Sequence, residues 1–317
     1  MRVSAQAQPN IALVKYWGKR DGVGNLPATG SLSVTLESLW TRMILQSSKR
    51  RKDSLTVNGV STPEMLPRVS RCLDSVLGSN REPVHVVSDS NFPIEAGLAS
   101  SASAFAALVI AANRLAGKNL NFSALSRFAG EASGSAARSM YGGFVELVAD
   151  SDNIHIQQIA EAEEWPLEVI VAITSEGKKP VGSGEAMIRS AKTSPFYSSW
   201  LNRQDYDLNL ARNSILTRDF EALAFVSERN CLKMHSVMWS SRPPIVYWNS
   251  GTLDCLQTVR SLQAEGHGVF FTIDAGPQVK AICLPESRQV VHDALVATNG
   301  VIRAIRSKLG PPARLIE

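Results

Sequence analysis

The stretch Pro93-Ile94-Glu95-Ala96-Gly97-Leu98-Ala99-Ser100-Ser101-Ala102-Ser103 decides how this chain is built. Before it, Pro83 to Ser88 (PVHVVS) alternates as a strand does; after it, Phe105, Leu108, Val109, Ala112 and Leu115 recur on one face of a helix. A strand therefore runs through a glycine-containing loop into a buried helix. A helix start at this point turns unpaired backbone N–H groups and the positive end of the helix dipole outward, which suits phosphate. Taken alone, the same residues fit an Ala/Ser-rich helix start packed tightly against a sheet. Neither GxxxxGK[ST] nor GxGxxG occurs, so any nucleotide must be held by a different loop.

Working outward, Leu32, Val34 and Leu36 alternate with Ser31, Ser33 and Thr35, and Met43 and Leu45 continue the pattern, as in half-buried antiparallel strands. A second helix is expected from Ser123 as N-cap, stopping in the small-residue run Ala132 to Ala137, with Gly142-Gly143 opening the strand FVELV. An acidic stretch reaching Trp165-Pro166 precedes the apolar run LEVIVAIT, which places a domain junction there: 1–165 and 166–317. Helices are expected over Ser183 to Ala191, Asp205 to Leu216, Asp219 to Met238 and Thr252 to Gly266. The strand pair GVFFTID and VKAICLP follows, around an Ala-Gly-Pro turn. The pattern is α+β: sheet, helices and sheet in two lobes.

Composition excludes several classes. With 317 residues and 44% hydrophobic side chains the chain can fill packed cores, and 33 Lys+Arg against 29 Asp+Glu leave only +4, too mild for a nucleic-acid groove. The longest apolar run, Ala104 to Ala112, is far short of the roughly 20 residues a bilayer crossing needs, and no apolar leader follows Met1. The expectation is a soluble, cytoplasmic protein without a membrane partner. Cys72, Cys231, Cys255 and Cys283 are scattered and form no CxxC pair, so they read as reduced core thiols. The five histidines show no ligand spacing, and no protein-built catalytic metal is expected.

Three further stretches carry chemistry-bearing side chains. PNIALVKYWGKRD (Pro9 to Asp21) sets Lys15, Trp17 and Lys19 on one face of an extended segment and Tyr16 on the other, which by itself also describes an edge strand with solvated lysines. SGSAARSMYGG (Ser133 to Gly143) combines hydroxyls, a glycine and Arg138, whose planar fork suits carboxylate or phosphate, or is a flexible connector with a surface arginine. TIDAGPQ (Thr272 to Gln278) ends an apolar strand on Asp274, a base or an Asx-turn cap. Lys178-Lys179 with Ser183 makes one more basic and hydroxylic patch, or a solvated loop.

Taken together and in order, KYWGKRD, NFPIEAGLASSAS, SGSAARSMYGGFVEL, NCLKMHSVMWSSRPPIVYWN and TIDAGPQ resemble the diphosphomevalonate decarboxylase family of the GHMP kinase superfamily, from about Pro9 to Leu284. The resemblance implies a two-lobed GHMP kinase fold, with a ribosomal S5 domain 2-like N-terminal lobe and a ferredoxin-like C-terminal lobe. It implies an active site between the lobes, ATP with Mg2+, and a homodimer. The implied reaction phosphorylates the 3-hydroxyl of mevalonate 5-diphosphate; phosphate and carbon dioxide then leave to give isopentenyl diphosphate.

The resemblance also assigns residues. Gly97, Leu98, Ala99, Ser100 and Ser101 match the loop around the ATP phosphates, with Ser101 toward magnesium. Tyr16, Lys19, Ser133, Gly134, Ser135, Arg138, Ser183 and Met187 match substrate-lining positions, and Asp274, Lys15 and Arg138 match the catalytic groups. Departures fall at Ala132, Gln278, Ala28-Thr29-Gly30, Gly182 and Gly184, and bear on the grip on the second phosphate. The alternatives are a relative that takes the monophosphate, one that phosphorylates without decarboxylating, and a non-catalytic nucleotide-binding regulator.

Overall fold

The computed structural model describes residues 1–20, 26–48, 51–94, 97–149, 154–177 and 179–316. The first half contains strands β1 (Arg2–Ala7), β2 (Asn10–Val14), β3 (Ser31–Thr35), β4 (Thr41–Ser47), β5 (Ser54–Val57) and β6 (Val60–Ser61), then helix α1 (Leu66–Leu77) and β7 (Val84–Ser90). Helices α2 (Ser100–Leu115) and α3 (Phe122–Ala132), a short 3-10 turn (Arg138–Met140), β8 (Phe144–Ala149) and β9 (Ile154–Ala160) complete it. The second half runs β10 (Glu168–Ile173), α4 (Ser183–Thr193), α5 (Tyr197–Thr217), α6 (Phe220–Trp239), α7 (Ser250–Ala264), β11 (Val269–Ile273) and β12 (Val279–Cys283). It ends with α8 (Arg288–Ala297), β13 (Arg303–Lys308) and β14 (Arg314–Ile316).

These strands form three sheets, ordered β14-β1-β4-β7-β5-β6, β2-β3-β8-β9 and β11-β12-β10-β13. Pairing is antiparallel throughout except for β5 beside β7. Val3, Ala5, Met43, Leu45 and Val86 form the apolar face of the first sheet, and α2 lies on it, flanked by α1 and α3. Ala102, Ala106, Ala107, Ala111 and Ala112 keep α2 thin enough to approach β1 and β4 closely, while Phe105, Leu108 and Val109 fill the gaps. A helix apolar all round can only be an interior one. Each fully buried Leu, Val or Phe there contributes about 1.5–3 kcal/mol of transfer free energy.

The third sheet is buried on both faces. Ile170, Phe271 and Ala281 meet α7 and α8, while Val169, Val171, Phe270 and Ile282 join Ile11, Leu13, Leu32, Val34 and Phe144 of the second sheet in one continuous core with α5 and α6. Burial on both faces accounts for the unbroken apolar runs of β10 and β11.

Several sequence expectations need correction. The N-cap of α3 is Asn121, whose side chain accepts from Ala124 N, so Ser123 lies inside the helix. Helix α5 starts at Tyr197, well before Asp205; no side chain caps it, and Trp200, buried against Trp17, fixes the early turns instead. Helix α7 starts at Ser250 behind a capping box formed by Asn249 and Thr252. The serine face of β3 was expected to be solvated, yet Ser31, Ser33 and Thr35 are fully buried. No side-chain cap hydrogen bond forms at the start of α1 or α8, and neither helix is among the expected ones.

Candidate active site

Strand β2 delivers the first cation. Its pairing with β3 shifts register between Ala12 and Val14, a bulge of the kind that re-aims backbone groups. The carbonyl of Ala12 accepts from Lys15 Nζ (2.8 Å) and from Thr272 Oγ1 (3.2 Å). Lys15 N donates to Asn230 Oδ1 (2.8 Å), and Lys15 Nζ reaches Asp274 Oδ1 at 2.7 Å. Lys15 is a buried lysine, only 2% exposed, in place of the solvated one an edge strand allows.

Asp274 lies just past β11, 22% exposed, with a second ammonium on its far side: Lys280 Nζ is 3.2 Å from Oδ2. Burial by itself would push the Asp274 carboxyl up; Lys15 and Lys280 overcome that and hold it well below the usual carboxylate range. Oδ2 is closed to solvent, and the Lys280 ammonium lies beside it as its ion-pair partner.

Arg138 explains the buried serines of β3. Its Nε donates to Ser33 Oγ (2.9 Å), a terminal nitrogen donates to Ser31 Oγ, and the other donates to Asn10 Oδ1 (3.1 Å). Asn10 in turn donates to Ser135 O (2.9 Å) and Ser139 Oγ (2.7 Å), so the turn after α3 is pinned to β2. Burial pulls the guanidinium down to about 10, against the opposing pull of Tyr16 and Asp274, and it stays charged at neutral pH. The surface-arginine alternative is thereby excluded.

The loop before α2 has Gly97 at φ +81 and Ala99 at φ +52, two left-handed residues that set the chain up for the helix at Ser100. The N-cap is Ala99, and among the described residues no side chain caps the first-turn N–H groups of α2. Ser101 Oγ lies 3.2 Å from Ser133 Oγ, which lies 3.5 Å from Ser135 Oγ, joining the two hydroxylic stretches. Leu98 is the exception: its side chain is buried in the core and does not line the cleft. Glu95 and Ala96 lie outside the described residues.

Lys15, Asp274, Arg138, Gly97, Ser101 and Ser133 line one cavity of about 540 Å³, together with Tyr16, Trp17, Lys19, Gly134, Ser183 and Met187. Lys179 Nζ donates to Ser183 Oγ (2.7 Å) and to Ala275 O (3.0 Å), which seats it at the start of α4; Lys178 lies outside the described residues. Burial raises the Tyr16 phenol, against the pull of Arg138 and Arg68. Among the described residues the lining carries Lys15, Lys19, Arg68, Arg138 and Lys179 against the single acid Asp274. Such a surplus of cations in a walled cleft selects anions.

Sequence reasoning missed Asn10, Arg68 and Lys280. Arg68 belongs to the unexpected α1 and carries no motif. Asn10 and Lys280 did leave a signal, as lone polar residues in the apolar strands NIALV and VKAIC.

Comparison with known proteins identifies the family. Residues 7–160 match the diphosphomevalonate decarboxylase-like N-terminal domain and 169–304 match the mevalonate 5-diphosphate decarboxylase C-terminal domain. The chain belongs to the diphosphomevalonate decarboxylase family. Diphosphomevalonate decarboxylase of Candida albicans is 34% identical over 86% of this chain and 82% of its own length. That of Rattus norvegicus is also 34% identical, over 95% and 82%. Mevalonate diphosphate decarboxylase from Staphylococcus aureus superposes with a TM-score of 0.91 at 33% identity, covering 100% of this chain and 98% of that one. A complex described as MDDEF with MVAPP, AMPPCP and magnesium gives 0.91 at 32%, covering both chains fully. The fold is the two-lobed α+β GHMP kinase type of these decarboxylases.

Two departures from the usual family pattern acquire reasons. Gln278 is fully buried, accepts from Thr174 N (2.7 Å) and donates to Ser175 O (2.6 Å), bracing the β11–β12 turn against the end of β10. Gly30 leaves no room for a side chain, since a Cβ would meet Leu147 O and Leu208 Cδ1 at 2.8 Å.

Proposed function

We propose that this chain decarboxylates mevalonate 5-diphosphate at the expense of ATP, releasing isopentenyl diphosphate, ADP, phosphate and carbon dioxide. The observation that carries the reading is the convergence of Asp274, Lys15, Arg138 and the start of α2 on one cation-rich cavity. A relative solved with MVAPP, AMPPCP and magnesium supports the choice of ligands. The division into lobes 1–165 and 166–317, a cytoplasmic setting and a homodimer belong to the same reading; the four buried, unpaired cysteines support a reducing compartment. Among the described residues no helix is long and apolar enough to cross a membrane.

Each side chain has a task. Asp274, fully ionised between two lysines, is a weak base, so it acts by orienting the 3-hydroxyl and taking its proton late, which suits a loose phosphoryl-transfer transition state. The part of the Asp274 carboxylate open to the cavity receives that hydroxyl, while Oδ2 stays shut off from solvent against Lys280. Lys15 fixes Asp274 and meets developing negative charge. Arg138, held rigidly by Ser31, Ser33 and Asn10, aligns the substrate carboxylate for loss of carbon dioxide. Gly97, Ala99, Ser100 and Ser101 hold the ATP phosphates at the helix start, Leu98 serving through its backbone. Tyr16, Lys19, Ser133, Gly134, Ser135, Ser183 and Met187 hold the rest of the substrate, whose 5-phosphates provide binding energy remote from the reacting carbon.

The site fits magnesium in one limited sense. Ser101 offers a hydroxyl oxygen at the helix start, and Asp274 is the only carboxylate among the described lining residues, so the ion would keep mostly water and phosphate oxygens. When bound it neutralises phosphate charge.

The test is direct: ATP, magnesium and mevalonate 5-diphosphate should yield ADP, phosphate and carbon dioxide together. ADP without carbon dioxide identifies a 3-kinase, turnover of the monophosphate alone a different substrate, and nucleotide binding without turnover a regulator.

A further inference from the structure

We propose that Lys280 is a positioning residue that locks the Asp274 carboxylate to the phosphate-binding loop at Gly97. It rests on the roles given above to Asp274 and that loop, and adds a third element that holds them in one frame. Lys280 is fully buried in β12 and does not itself line the cavity. Its Nζ donates to Gly97 O at 2.8 Å and lies 3.2 Å from Asp274 Oδ2. One ammonium therefore joins two chain segments, 97 and 274, that the mechanism needs in fixed relation.

Strand alternation dictates the placement. Val279, Ala281 and Cys283 face the core made with α7 and α8, so Lys280 and Ile282 face the other lobe. The same junction is packed as tightly as backbone allows: a Cβ on Gly97 would meet Gly276 Cα at 2.8 Å and Ala275 O at 3.5 Å. The loop thus rests directly on the turn that carries Asp274.

Charge gives the second reason. Lys15 alone would neutralise Asp274, so Lys280 adds a surplus positive charge in a buried place, which is costly unless an anion arrives beside it. The groups facing Asp274 are Lys15 after β2, Lys280 on β12, Arg138 on the turn after α3, and Cys231 and His235 on α6. Burial moves Cys231 up to about 11 and His235 down to about 3, so neither changes charge near neutral pH. With Lys280 removed, the Asp274 carboxyl rises toward its ordinary value.

Lys280→Met and the milder Lys280→Gln are assayed beside the wild-type enzyme, with thermal melting as the folding check. Expected are a kcat lower by about tenfold or more and an acid limb of kcat/KM moved up by about one pH unit. KM for ATP should rise about fivefold, with KM for mevalonate diphosphate nearly unchanged. Titrating a non-hydrolysable ATP analogue with magnesium should show the same loss of affinity, independently of turnover. Folded variants that keep the wild-type acid limb and nucleotide affinity overturn the proposal, even if kcat falls. Absence of carbon dioxide from the wild-type enzyme defeats the functional reading instead, and leaves the titration to decide the role of Lys280.

Discussion

Asp53 and Asp274 are both held down by cations, and they are held differently. Asp53, beside β5 and remote from the cleft, has both oxygens doubly occupied. Oδ1 accepts from Arg81 and Val84 N, each at 2.8 Å, and Oδ2 accepts from Arg81 and Ser70, each at 2.6 Å. Burial opposes its ionisation, but those bonds bring it down to about 2. Asp274 has one oxygen on Lys15 and the other closed off against Lys280, and part of its side chain is open at the wall of a cavity. A carboxylate with every lone pair used holds structure together; one partly open at a cavity wall, among more cations than it can neutralise, is placed to meet a ligand.

The contrast is sharpest in the isosteric amides. Asp274→Asn should lower kcat by about 10³-fold, with ATP affinity little changed, whereas Asp53→Asn should leave kcat within about twofold. A comparable loss of kcat at Asp53 would dissolve the distinction. Next in size, Arg138→Lys keeps the charge but loses the planar fork, and kcat is expected to fall about 100-fold in steady-state assays.

Stability should rank the two aspartates by a different rule. Asp53→Asn breaks a buried, fully bonded pair and should cost about 3 kcal/mol in denaturant unfolding. Because its folded pKa is depressed, the contribution of Asp53 is complete above the unfolded value of about 4 and is lost as pH falls through about 2. The difference in Tm between wild type and variant should therefore be flat above about pH 5 and shrink below it. The smallest effect belongs to the tail of the cavity. A Cβ at Gly184 would sit 3.8 Å from Lys19 Nζ, an ordinary contact, so Gly184→Ala should change KM for the diphosphate less than about threefold. A larger rise would mean that this position is already filled by the second phosphate.

Much of this was legible in the sequence, and the failures share a cause. Strand and helix periods gave β7, α2, β8, β10, α4, α6 and the β11–β12 pair, because each shows a core its own regular pattern. The serines of β3 were misread because alternation cannot tell water from a buried guanidinium: Arg138, far along the chain, supplies the polar partner. Lys15 was ambiguous for the same reason, its partners Asn230 and Asp274 being distant in sequence. Arg68 was missed with α1, which has no side-chain cap and whose one start signal, Pro67 in the first turn, is weak by itself.

The shared core of the second and third sheets has a practical consequence. Leu13 and Phe144 on one side, Val169 and Phe270 on the other, belong to one core that the two sheets share with α5 and α6. A chain severed at the exposed Glu163 would yield two fragments, each presenting a raw oily wall. Made separately, they should clump; synthesised together in one cell, they should find one another and restore a working enzyme.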